Sequence, residues 1–303
     1  LIDKIFSYRK SKVNYNFYNL KAQITGETIK SKINRLMKVL KKNKIENIFI
    51  SAPENVAWLL NLRGKDNPNS PIPNCKLILK KNKKIFFFSC QKKVSNMKKN
   101  KIYKRLSFHE YQDFDSIINN LKGKNFCIDK TTCSISNEKI IRSKFRIKLD
   151  LDPCYLFKSI KNKVEIKNMR DAHLKDGVAL TKFIYWIKKI NKNKITEVEA
   201  AKKLERFRKM NKNFLYPSFD TIAGSGKNGA IVHYRAKKEN CRNISKKDIF
   251  LCDSGGQYKY GTTDVTRTIC FSNQNQNIKN IFTKVLKGHI AVATTNINKD
   301  NIG

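Results

Sequence analysis

The sequence predicts two mixed folds in succession, α/β and then α+β. Between residues 25 and 151, helical apolar stripes alternate with short apolar or β-branched runs, the pattern of an α/β domain built on a mixed sheet. From 163 to 209 two long helical patterns follow one another. After them, 249–271 reads as two strands separated by a Gly-Gly turn region, an antiparallel pair for those helices to cover. At 303 residues the chain is long enough to build two cores.

Residues 1–9 read as the tail of a helix belonging to something earlier, so 1–24 is expected to be the end of a preceding domain. Residues 25–44 carry Ile29, Ile33, Leu36, Met37 and Leu40 at helical spacing, with Glu27 near the start. A short strand at 47–51 follows. Next comes PENVAWLLNLRG (53–64), which opens with helix-start chemistry and brings Trp58, Leu59 and Leu60 together. A Pro/Asn/Ser loop covers 67–73. Runs at 76–79 and 85–88, separated by lysines and Asn82, read as a hairpin; 111–121 reads as a helix, and 125–129 and 145–151 as strands.

Pro153 marks a boundary, giving domains at 25–155 and 156–303. Residues 163–191 sustain a helix through Ile166, Met169, Ala172, Leu180, Phe183, Ile184 and Ile187. Thr196-Glu197-Val198-Glu199 is a capping box that opens another helix to about residue 209, with Glu199 as the acidic partner of the cap. Residues 278–293 form a last amphipathic helix.

Hydrophobic content of 40% describes a globular chain, and no apolar stretch approaches a membrane span. The formal net charge of +40 raises a nucleic-acid or anionic-membrane partner. The lysines are scattered rather than striped, outnumber Arg, and accompany an excess of Asn and Ile, so the charge reads as compositional bias and neither partner is expected. Eight cysteines show no C-x-x-C pair and several sit in apolar runs, which points to a reducing, cytoplasmic setting.

The chemistry concentrates in 218–271. Asp253 closes the apolar run Ile249-Phe250-Leu251-Cys252 and meets Ser254-Gly255-Gly256. Asp264 sits inside a β-branched run, 262–271, where period two puts Asp264, Thr266, Thr268 and Cys270 on one face and Val265, Arg267, Ile269 and Phe271 on the other. Carboxylates in strand interiors are costly to bury unless compensated, and two on neighbouring strands repel. A bound hard cation removes both problems. Spacing alone leaves this reading level with another, in which Asp253 caps a turn and Asp264 pairs with an Arg or Lys.

Gly224-Ser225-Gly226-Lys227-Asn228-Gly229 satisfies G-x-G-x-x-G, but a dinucleotide site needs a helix directly after it. Here the strand-like Ala230-Ile231-Val232-His233-Tyr234 follows, so the glycines are expected to form a tight loop that lets backbone approach a small substrate. His109, His173 and His289 lack ligand-spaced partners. From the residues alone His233, on a strand beside that of Asp253, reads as a core histidine.

SFDTIAGSGKNGAIVHYR, LCDSGGQY and GTTDVTRT together resemble the aminopeptidase P family, the Xaa-Pro aminopeptidases of the pita-bread metallopeptidase superfamily, in order and in spacing. ISAPENVAWLLNLRGKDNPNSPIP is similar to the creatinase-like domain of the family's long, three-domain members, and would place Arg63 either toward the active site or an interdomain contact, or on the surface. The resemblance implies a creatinase-amino-domain-like α/β domain followed by a truncated pita-bread catalytic domain. It also implies two divalent metal ions, manganese by the family's habit, with Asp253 chelating one and Asp264 bridging both. His233 would contact the substrate and steady the charge that develops as a metal-activated hydroxide attacks an Xaa-Pro bond. The implied partners are a proline-containing peptide substrate and a second copy in a homodimer.

The family completes its site with one His, two Glu and a further His, which would lie beyond residue 303; the chain is therefore expected to be a fragment, inactive alone. Lys227 departs from the Pro common in relatives, which bears on loop rigidity. Two alternatives stay open: a prolidase-like dipeptidase, against which the LLNLRG block argues, and a non-catalytic pita-bread protein that binds nucleic acid or a protein partner, against which the retained Asp253, Asp264 and His233 argue.

Overall fold

The computed structural model describes residues 15–190 and 195–297. The helical tail expected at 1–9 lies outside them. The strands in chain order are β1 (Tyr18–Asn19), β2 (Asn47–Ile50), β3 (Leu62–Arg63), β4 (Lys76–Lys80), β5 (Ile85–Phe88), β6 (Leu106–His109), β7 (Asn125–Ile128) and β8 (Arg146–Leu149). They continue as β9 (Phe214–Pro217), β10 (Ile222–Ser225), β11 (Ile249–Ser254), β12 (Gly256–Tyr258), β13 (Gly261–Thr262) and β14 (Val265–Cys270). The chain divides into two compact units: one runs to Gly177 and takes in Asn211–Phe219 and Gly255–Thr263, the other comprises Val178–Met210, Asp220–Ser254 and the residues from Asp264 onward.

The first unit is built on a six-stranded sheet in the order β6-β5-β4-β2-β7-β8. The β2/β4 and β4/β5 pairs are antiparallel, whereas β2/β7, β5/β6 and β7/β8 are parallel, so the sheet is mixed as expected. Both of its faces are apolar, and alternation sorts the side chains. Ile48, Ile50, Leu77, Leu79, Ile85 and Phe87 enter one core with Leu36 and Leu40 of the Ile29–Lys42 helix. Phe49, Ile78, Phe86, Phe88, Phe126 and Ile128 enter the other, with Phe114 and Ile118 of the Phe114–Asn120 helix and Ile141 of Ile135–Arg142. The first helix starts where Thr28 Oγ1 accepts from Ser31 N at 3.2 Å.

Among the elements of this unit that the sequence reading does not name are β6 and the Ile135–Arg142 helix. β6 contributes only Leu106 and Phe108 as apolar residues, yet its backbone extends the edge beside β5. The Ile135–Arg142 helix is capped by Ser134, which accepts from Asn137 N at 3.3 Å. Arg63 lies opposite Tyr18 in the β1/β3 pair and is half-buried, its Nη1 donating to the Leu62 carbonyl at 2.8 Å, so it is no ordinary surface arginine.

The second unit carries an antiparallel three-stranded sheet, β10-β11-β14. One face is covered as anticipated: Ala223, Phe250, Cys252 and Ile269 pack with Leu180, Phe183 and Ile187 of the Lys163–Lys189 helix and with Ala200 and Leu204 of the Glu197–Lys209 helix. The Gln276–Thr294 helix buries none of its residues, and Val285 stays 68% exposed.

Since Phe183 is fully buried in that core, Phe183→Ala is expected to destabilise the protein by about 3–5 kcal/mol. Val285→Ala should change stability by less than about 0.5 kcal/mol. Urea-unfolding midpoints of the two variants check the contrast.

Candidate active site

Asp253 stands on β11 between two partners, Ile222 on β10 and Thr266 on β14. Paired residues in an antiparallel ladder share a face, so Asp253 and Thr266 point to the side opposite the apolar core formed by Phe250, Cys252 and Ile269. Thr268 and Cys270 share that side and are exposed, as the alternation required. Asp253 is half-buried, and Thr266 Oγ1 donates to its Oδ1 at 2.8 Å, fixing one carboxylate oxygen. Burial pushes the Cys252 thiol up to about 12, which fits a packing residue and not a nucleophile.

Asp264 is not in a strand. The expected continuous run is broken: β13 ends at Thr262, β14 begins at Val265, and Asp264 occupies the break, exposed. The cause is Thr263, which turns inward. Its N–H donates to the Gly256 carbonyl at 2.9 Å, its Oγ1 accepts from Gly256 N at 2.9 Å, and its carbonyl accepts from Ser218 Oγ at 2.8 Å. The Gly-Gly region is likewise more than a turn, since β12 and β13 pair within it and β9 joins them. The ladder therefore fixes the face of Asp253 but not that of Asp264. Among the described residues neither carboxylate forms an ion pair, so the alternative in which Asp264 pairs with an Arg or Lys finds no support there.

The strand expected at 230–234 is absent. Gly226–Ala230 is a short 3-10 helix and 231–233 is a turn, closed by Ile231 N to the Asn228 carbonyl at 3.2 Å and Tyr234 N to the Ile231 carbonyl at 3.2 Å. The strand that lies beside β11 is instead β10, with Gly224 opposite Leu251. A Cβ on Gly224 would come within 2.8 Å of Gly229 Cα and N, while one on Gly229 would meet Leu251 Cβ at 3.6 Å. The glycine loop thus lies directly on the Asp253 side of the sheet, and the close approach seen is of backbone to backbone.

His233 follows that loop. It is exposed rather than in a core, and adopts the left-handed region at φ 54°, a conformation that costs a non-glycine residue about 1–2 kcal/mol. Its neighbour Arg235 pairs with Asp220 at 2.9 Å, two residues before the Ile222 that faces Asp253.

One carboxylate that the sequence reading passed over holds this loop. Glu197 is fully buried. Its Oε1 accepts from Ser225 N at 2.7 Å and from Asn228 Nδ2 at 3.1 Å; its Oε2 accepts from Tyr234 Oη at 2.7 Å, Arg242 N at 2.9 Å and Asn228 Nδ2 at 3.0 Å. Burial, and then the Glu197 carboxylate, push the Tyr234 phenol well above its ordinary range. The capping box is present, with Thr196 Oγ1 accepting from Glu199 N at 3.2 Å, but Glu197 plays no part in it. An acid at the first helical position that the cap does not use was the signal available in the sequence.

Two carboxylates suit a hard divalent cation in kind. They fall short in number, because no group of three or more metal-ligating side chains assembles among the described residues. His233, Asp253 and Asp264 all belong to the second unit.

A family model described as Creatinase/Prolidase N-terminal domain matches residues 9–165, and one described as Metallopeptidase family M24 matches 167–300. The chain is 33% identical to a protein of Leptosphaeria maculans named Probable Xaa-Pro aminopeptidase P, over 100% of this chain and 52% of that protein. It is 34% identical to Xaa-Pro aminopeptidase ApepP of Drosophila melanogaster, over 97% and 49%. The crystal structure of an X-prolyl aminopeptidase from Caenorhabditis elegans, described as a cytosolic enzyme with a di-nuclear active site, superposes with a TM-score of 0.89 at 30% identity, covering 97% of this chain and 49% of that one. The α/β and α+β fold class and the resemblance to aminopeptidase P are borne out. The chain spans about half the length of the curated relatives it matches.

Given the backbone clash a Cβ at 224 would make, Gly224→Ala is expected to destabilise the protein by about 1–3 kcal/mol and Gly229→Ala by less. Chemical denaturation of both variants measures the difference.

Proposed function

We propose, given that the chain belongs to the creatinase/prolidase family and continues into a metallopeptidase family M24 domain, that its activity is the release of the N-terminal residue from peptides with proline in second position. In this reading 25–155 is the creatinase-like domain and 156–303 the first half of the catalytic domain, in a protein working as a cytoplasmic homodimer. The observation that carries the reading is Asp253: a half-buried strand carboxylate, oriented by a threonine hydroxyl, with no cation beside it among the described residues. Such a group is left short of compensating charge, and a metal ion supplies it.

Asp253 and Asp264 would be the carboxylate ligands this chain contributes to a pair of divalent ions, manganese being our choice. When bound, such a pair lowers the pKa of a water and offsets the negative charge that builds up on the scissile carbonyl oxygen. The remaining roles fall to side chains. Thr266 holds Asp253 in one orientation, the glycine loop lets backbone approach the substrate, and His233 donates a hydrogen bond to the carbonyl oxygen as it gains charge. Two carboxylates do not hold a pair of ions, and the 303-residue chain alone is expected to release no amino acid from an Xaa-Pro peptide.

In the intact protein, Asp264→Ala should lower kcat/KM on an Xaa-Pro peptide by about a thousandfold or more. Normal turnover by this variant would remove Asp264 from the site. Thr266→Val, which deletes the bond to Asp253 and keeps the shape, should weaken manganese binding about 10- to 100-fold in a metal titration.

A further inference from the structure

We propose that Glu197 is a positioning residue for His233, a buried carboxylate that holds the loop 225–242 from inside and so determines where the imidazole stands. The inference rests on the proposed function for its catalytic meaning, although the clamp itself is described by the geometry alone.

Helix capping does not account for Glu197. The Glu197–Lys209 helix is already capped by Thr196 and Glu199. A fully buried carboxylate is costly unless it is well hydrogen-bonded, and here the donors come from the loop and not from the helix. They are also spread along it. Ser225 N marks the start, Asn228 Nδ2 the 3-10 turn, Tyr234 Oη the residue after His233, and Arg242 N the end, all within 3.1 Å of one carboxylate oxygen or the other. Asn228 Nδ2 also lies 2.9 Å from Tyr234 Oη, and Tyr234 Oη reaches the Asn240 carbonyl at 3.2 Å, so the network closes on itself.

His233 has no comparable support of its own. It is exposed, at φ 54°, and among the described residues no hydrogen bond fixes its ring. Its placement is inherited from Tyr234, whose phenol ends on Glu197, and from the exposed Arg235–Asp220 pair, which contributes little. Displacing a group that must meet a developing charge by about 1 Å is enough to cost about 100-fold in rate.

The test uses the intact, manganese-loaded protein and the nearly isosteric Glu197→Gln, which turns an amide NH2 toward donors. Expected are a fall in kcat of about 10- to 100-fold with KM held within about threefold, manganese binding unchanged, and no further loss when Glu197→Gln is added to His233→Ala. Independently of turnover, backbone amides of 226–234 should exchange hydrogen at least about tenfold faster while those of β11 and β14 keep their protection.

If the two substitutions multiply, or if the loop amides stay protected, the proposal is wrong. Should Glu197→Gln unfold the protein as a whole, Tyr234→Phe, which removes one donor and leaves the carboxylate, is held to the same two outcomes with smaller effects. If the unaltered protein cleaves no Xaa-Pro peptide, the proposed function falls. The exchange measurement then decides on Glu197 by itself: selective loosening of 226–234 sustains the clamp, and unchanged protection overturns it.

Discussion

Burial of Phe250, Cys252 and Ile269 against two helices is the constraint from which the rest of the second unit follows. Neighbouring strand residues point to opposite sides, so committing these three to the core sends Leu251, Asp253, Thr266, Thr268 and Cys270 the other way. A slip of one residue would turn the Asp253 carboxylate from the open side of the sheet toward its packed side and strip it of water. The register that stabilises the fold is thus the one that presents the acid.

The side of the sheet that carries Asp253 is organised by contacts of a different kind. The glycine loop lies on β10 at a separation that only hydrogen on Gly224 permits, and Glu197 gathers four loop donors around one carboxylate. A fully satisfied buried network resists displacement, because each lost bond leaves a desolvated group. The hydrophobic side sets which way residues face, and the polar side sets where the loop stops.

In the first unit the same two-residue period has another outcome. Both faces of its six-stranded sheet are apolar, helices cover both, and none of those six strands contains an acidic residue. Asp253 lies instead on the β10-β11-β14 sheet, on the side away from its apolar core. The six-stranded sheet lies within the stretch the creatinase-type model matches, 9–165, and β10-β11-β14 within that of the M24 model, 167–300.

Local periodicity was sufficient for the long helices, for most of the mixed sheet, for the antiparallel β11/β14 pair and for the shared face of Thr266, Thr268 and Cys270, because each depends on side chains a few positions apart. Motif order was sufficient for the family. Folding decided the rest. Asp264 leaves the strand because Thr263 is held by Gly256 and Ser218, seven and 45 positions away. The β-branched Ile231 and Val232 look like strand, yet they are 52% and 83% exposed on a turn, since Glu197, 37 positions before Tyr234, anchors the chain there. Propensity is local and weak, while a buried carboxylate that needs four donors acts over tens of residues, and only the folded chain decides which donors it collects.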